Sequence, residues 1–230
     1  MGTKTFLSYV NDLLVPYNEV QVTVTSWSTI NGPQLMAKTS ILRAIDLIQM
    51  KERKWPFNRA AGEQVLTVGQ VEYAWPSDFR DVDMNSFYIE KDDVLDVDTT
   101  PLEQISTEDW YKYHRKDDYD NETDGRGPPT FVFRSSGKFG VTQCPDQAYT
   151  VKYTYFKTPT RMSDHDDTTT IPDEYQQVVI DQANVYMNKF YENDQQIASA
   201  EADAKASIGA MRSILINDDF RMNDTRIPGR

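Results

Sequence analysis

The stretch TTTIPDEYQQVVIDQANVYMNKFYEND, residues 168–194, constrains the fold most. After Ile171 and Pro172, the residues Tyr175, Val179, Ala183, Tyr186, Met187 and Phe190 recur at helical spacing, with Asp173 and Glu174 suited to an N-terminal turn. So broad an apolar face must be covered by another element. The next stretch, DQQIASAEADAKASIGAMRSIL, predicts an antiparallel neighbour with Ile197, Ala200, Ala204, Ile208, Met211 and Leu215 on one side. The remaining matching faces lie at the other end of the chain. There Phe6, Val10, Leu13 and Leu14 make a helix that Pro16 ends. A second helix begins with Asn31 as a cap and Pro33 in its first turn, and carries Ala37, Ile41, Ala44, Ile45 and Ile48 as its stripe. Lys51, Arg53 and Lys54 complement the negative end of its dipole before Trp55 and Pro56 stop it.

Between these helices the period changes to two. EQVLTVGQVEYAWPSDF reads as two short strands joined at Gly69 and Gln70, and TFVFRSSGKFGVTQ as a hairpin turning at Ser136 and Gly137. AYTVKYTYFK places Tyr149, Val151, Tyr153 and Tyr155 on one face. ISTEDWYKY reads as a short helix capped by Ser106 and Asp109. The expected fold is α+β: a four-helix bundle formed by both chain ends, with an inserted antiparallel β-domain and an extended C-terminal arm. Residues 1–59 and 171–215 supply the bundle, 60–170 the β-domain and 216–230 the arm.

Composition limits the chemistry. Thirty-six acidic against 24 basic residues leave a net charge of -12, which argues against a chain whose main task is gripping phosphate backbones. Cys144 is alone, so no intrachain disulfide framework forms. Residues 1–20 lack a continuous signal core, Phe6 replaces the Ser or Thr that myristoylation needs, and no segment reaches the ~20 apolar residues that span a bilayer. His114 and His165 sit in no nucleophile motif. Asp120, Glu122, Asp124 and Gly125 start like a calcium loop, but the twelfth position is Phe131 instead of a bidentate Glu. Asp164, His165, Asp166 and Asp167 have no metal-site spacing and read as a polar connector. No cofactor, metal or catalytic residue is expected.

Two surface features stay open. Lys51, Arg53, Lys54, Trp55, Phe57 and Arg59 read either as a helix end anchored by aromatics or as a patch for a nucleic acid or acidic partner. The last fifteen residues read either as a frayed terminus or as an arm that docks through Phe220, Arg221, Met222, Arg226, Ile227 and Arg230.

The ordered set GPQLMAKTSILRAIDLIQ, WPF, LTVGQVEYAWPSDF, GPPTFVF, CPDQAYTVKYTYF and IPDEYQQVVIDQANVYM resembles the head-to-tail adaptors of short-tailed bacteriophages, the tail tubular protein A type. The resemblance implies a non-enzymatic virion protein, made in the host cytoplasm, that forms a dodecameric ring beneath the portal protein. Such a ring extends the channel for double-stranded DNA, without sequence-specific binding, and carries the tail nozzle protein and fibres. It gives the arm a role as a clasp on the portal or a neighbouring subunit. The acidic loops 91–98 and 116–124 match no family position. The rival expectation is a tail-associated, glycan-directed protein: a hydrolase using two β-domain carboxylates, or a module that binds host glycans through its Tyr-rich strands.

Overall fold

The computed structural model describes residues 4–92, 98–119 and 125–223, without the side chains of Tyr119 and residues 217–223. In chain order the first elements are α1 (Phe6–Leu14), α2 (Gly32–Lys51), β1 (Arg59–Val65), β2 (Glu72–Ala74), β3 (Phe79–Ile89), β4 (Thr100–Pro101) and β5 (Glu103–Gln104). Then come α3 (Thr107–Asp109), a π turn (Trp110–His114), α4 (Arg115–Tyr119), β6 (Phe131–Ser135), β7 (Lys138–Thr142), β8 (Thr150–Lys157), α5 (Gln176–Phe190) and α6 (Asp194–Asn223). The chain divides into a helical unit, Met1–Asn58 with Pro159–Arg230, and a β unit, Arg59–Thr158.

In the helical unit the apolar stripes become one core. Phe6, Val10, Leu13 and Leu14 of α1 meet Ala37, Ile41, Ala44 and Ile48 of α2 and Val179, Ala183 and Met187 of α5, with Ile208 and Met211 of α6 closing the cluster. Thr5 caps α1 by accepting from the Ser8 backbone N–H at 3.3 Å. Asn31 holds the cap position of α2, but its side chain makes no capping bond, so Pro33 in the first turn is the start signal that operates there. Buried amides are satisfied in a chain: the Asn58 amide donates to Gln49 Oε1 at 2.7 Å, and the Thr170 hydroxyl donates to Asn58 Oδ1 at 2.9 Å.

That last bond helps to explain why residues 159–170, expected in the β-domain, group with the helices. Met162 and Ile171 are buried in the helical core, and the Phe6 and Leu7 N–H groups donate to Asp167 O and His165 O at 2.8 and 3.0 Å. The connector that reads as polar in sequence therefore satisfies the open N-terminus of α1. A second departure lies at the chain end. α6 is helical through Asn223, so residues 216–223 are not an extended segment; residues 224–230 lie outside the described residues. Residues 216–223 contain neither Gly nor Pro, so no helix-breaking residue ends the helix where its apolar stripe stops.

The β unit has two four-stranded sheets, ordered β1-β8-β3-β4 and β2-β7-β6-β5. β1 and β2, adjacent in sequence across Gly69 at φ +80°, do not pair: β1 joins β8 and β2 joins β7. The unit is not wholly antiparallel either, since β5 runs parallel to β6. β6 and β7 form the expected hairpin, with Ser135 opposite Lys138 and Gly137 at φ +71° in the turn. Both sheets feed one aromatic core, in which Phe87 and Tyr153 stack at 4.7 Å and Trp75 lies 5.0 Å from Phe139.

Candidate assembly surfaces

Three surfaces stand out, two on the helical unit and one on the β unit. At the α5–α6 bend the Tyr17 and Tyr191 rings stack 5.1 Å apart, and Phe190 meets Tyr191 edge-on at 5.2 Å. The Tyr17 hydroxyl donates to Asn188 Oδ1 at 3.0 Å and the Tyr191 hydroxyl to Glu19 Oε1 at 2.6 Å. Burial, reinforced by the hydrogen-bonded Glu19 carboxylate, pushes the Tyr191 phenol up to about 12. Tyr17 and Tyr191 wall a cavity of about 880 Å³ whose charged lining is acidic: Asp181, Glu192 and Asp203. Asp181 is held in place by the Ser207 hydroxyl at 2.6 Å and the Gln177 amide at 2.8 Å. Phe190 belongs to the stripe read from sequence, yet it is 44% exposed, because α5 ends there and its ring reaches past the packed faces.

The second surface is a groove of about 310 Å³ among α2, α5 and α6, floored by Val185, Ala204 and Ile208. Lys51, Lys189 and Lys205 rim it, one from each helix. Lys189 pairs with Glu201 at 2.8 Å. Among the described residues no ion pair is found for Lys51 or Lys205. This convergence is not legible in the sequence: Lys51 stands out there as a helix-end charge and as part of the candidate basic-aromatic patch, while Lys189 and Lys205 belong to no pattern.

The third surface is built on α3, the π turn and α4. Ser106 caps the segment by accepting from the Asp109 N–H at 3.0 Å, and its hydroxyl donates to Asp109 Oδ2 at 2.7 Å. Trp110 is buried against Phe133, ring centres 4.1 Å apart, and its indole N–H donates to buried Asp118 at 2.7 Å. Burial raises the Asp118 carboxyl, while hydrogen bonds from Trp110, Thr142 and the Cys144 backbone oppose that shift. The carboxylate acts as a brace. It leaves Tyr111 and Tyr113 outward, 54% and 60% exposed, with Arg115 5.2 Å from the Tyr111 ring and Lys112 4.8 Å from the Tyr113 ring.

The residues singled out from sequence are not brought together as one patch. Trp55 is fully buried and donates its indole N–H to Ile48 O at 3.0 Å, and Phe57 stacks on it at 5.3 Å, so both aromatics anchor the helix end. Lys51, Arg53 and Lys54 are exposed, and Arg59 opens β1. Phe220, Arg221 and Met222 lie on the helical backbone of α6, whereas Arg226, Ile227 and Arg230 lie outside the described residues, as do Asp120, Glu122 and Asp124. Among the described residues no group of three or more His, Cys, Asp or Glu could hold a metal ion, and no helix is long and apolar enough to cross a membrane. Asp167 takes the backbone N–H groups of Ser163 and Asp164 at 2.6 and 2.8 Å, which lower its carboxyl below the ordinary 3.8. Tyr153 and Tyr155 of β8 and Tyr149 just before it are buried between the sheets, so these rings offer no platform for a glycan.

Grooves between helices, a ring-lined acidic concavity and outward tyrosines are features with which a protein meets other macromolecules. Both the helical unit and the β unit present such surfaces. Residues 15–228 match the SU10 adaptor protein family, and the chain belongs to that family. The match supports a phage structural adaptor and a virion component, a coarser assignment than the tail tubular protein A type. No curated protein matches the chain.

Proposed function

We propose that this chain is a subunit of an adaptor ring that joins the portal to the tail nozzle and extends the DNA channel. The observation that carries the reading is the family match, which spans both structural units. In this reading the helical unit is a four-helix bundle of α1, α2, α5 and α6 that makes the ring contacts, and the β unit presents Tyr111 and Tyr113 to tail proteins. The net charge of -12 suits a wall past which DNA slides without being held. No catalytic step is assigned, because the one buried carboxyl of raised pKa described above, Asp118, is occupied by internal hydrogen bonds.

The test is native mass spectrometry of the full chain, alone and after mixing with the portal protein of the same genome. A ring-bearing complex of portal and chain is the expected result. Absence of association across a range of salt concentrations sinks the reading, and mutation-sensitive release of sugars from cell-wall or capsule material would replace it with the hydrolase.

A further inference from the structure

The geometry points to a specific self-contact: the lysine-rimmed groove of one copy receives the acidic stretch at the end of α6, residues 216–224, of a second copy. This deepens the adaptor reading and rests on it for the need to close a ring. The groove is a local exception in an acidic protein. Its floor is apolar, and its rim gathers Lys51, Lys189 and Lys205 against the single carboxylate Glu201. A partner that fits must bring an apolar anchor flanked by negative charge, because an apolar floor alone gives no register and exposed lysines alone give little affinity.

The chain carries such a sequence. INDDFRMND, residues 216–224, sets Ile216, Phe220 and Met222 among Asp218, Asp219 and Asp224, with Arg221 as its one cation. Much of it already stands on helical backbone, since α6 continues through Asn223, so less ordering entropy is lost on docking than for a coil. The copy's own groove is out of reach. Ile208 on the groove floor and Phe220 lie on the same uninterrupted helix, twelve residues or about 18 Å apart at 1.5 Å per residue, and a continuous helix cannot fold back on itself. The donor is therefore another molecule. Donor and acceptor surfaces differ, so the contact is heterologous, the type that builds rings when the rotation closes.

The probe is a fluorescein-labelled peptide of residues 213–224, titrated with the full chain and followed by polarisation. Saturable binding that weakens with added salt is expected. The variant Lys51→Glu/Lys205→Glu should bind the peptide about tenfold or more weakly while keeping its helical circular dichroism, since both lysines are exposed; Glu at the negative end of the α2 dipole lowers the unfolding midpoint only slightly. A peptide carrying Asp218→Lys and Asp219→Lys should recover binding to that variant and lose it to the wild-type chain. No saturable binding, or equal binding by wild type and the lysine variant, overturns the inference. If the peptide fails to bind while the chain still associates with portal, the self-contact falls and the adaptor reading stands; the opposite pair of results leaves the contact and removes that reading.

Discussion

The helical unit and the β unit bury their interiors by different means. The helices bury stripes of aliphatic side chains and use an amide chain through Gln49, Asn58 and Thr170 to satisfy their polar interior. The sheets bury rings, with Trp75, Phe87, Phe139 and Tyr153 in mutual contact. Aliphatic stripes interlock along cylinders, and cylinders leave grooves between them, which is where the lysine rim and the acidic concavity arise. A ring cluster fixes angles as well as volumes, and beside it the Tyr111–Tyr113 segment is anchored on a separate small cluster of Trp110, Phe133, Val71 and Cys144. One unit thus presents clefts, and the other presents exposed tyrosines.

The widest test of this contrast truncates each core. Phe139→Ala removes a ring touching four others, and should cost the β unit about 3–5 kcal/mol, at the upper end of core deletions. Leu13→Ala in the helical stripe should cost about 2–5 kcal/mol, at the lower end if neighbouring methyl groups relax into the gap. Urea unfolding followed by tryptophan fluorescence checks both. A larger loss from Leu13→Ala would reverse the comparison.

A smaller effect comes from Gly140, whose added Cβ would lie 2.0 Å from Phe133 Cζ. Gly140→Ala should therefore destabilise the β unit by about 1–3 kcal/mol through overpacking, read as a lower urea midpoint with unchanged slope. The same substitution at Gly209 of α6, where a Cβ meets no atom within 4 Å, should raise stability by about 0.5–1 kcal/mol.

The smallest effects are pH-dependent and of opposite sign in the two units. Burial raises the Asp118 carboxyl above 3.8, so its contribution to stability is complete below pH 3.8 and is lost as pH rises through its raised folded value. Backbone N–H groups lower Asp167, so its contribution is present above pH 3.8 and is lost as pH falls through its lowered folded value. Comparing unfolding midpoints of wild type, Asp118→Asn and Asp167→Asn from neutral pH to pH 3 isolates each group. Asp118→Asn should flatten a gain on mild acidification, and Asp167→Asn a loss below pH 3.8. Profiles that overlay the wild type would show that neither carboxyl titrates as its surroundings demand.

Much of the fold was readable because its signals are local. Phe6, Val10, Leu13 and Leu14, the α2 stripe, the Ser106 cap and the Ser136–Gly137 turn each depend on residues within a turn or two of one another. The misread features depend on distant partners. Residues 159–170 look like a polar tail of the β-domain until Asp167 O and His165 O are seen to accept from α1. The candidate surfaces were legible only in fragments. Trp55 and Lys51 are four residues apart, yet one is core and the other rim.

Periodicity, turn chemistry and charge belong to neighbouring residues, so most helices and strands, the faces they bury, the acidic balance and the resemblance to phage adaptors can be read along the chain. That β1 and β2 enter different sheets, that β5 runs parallel to β6, and that Lys51, Lys189 and Lys205 converge on one groove depends on packing between distant segments. Strand pairing is chosen by cross-strand contacts far apart in the chain, and a groove exists only once three helices have packed at definite angles.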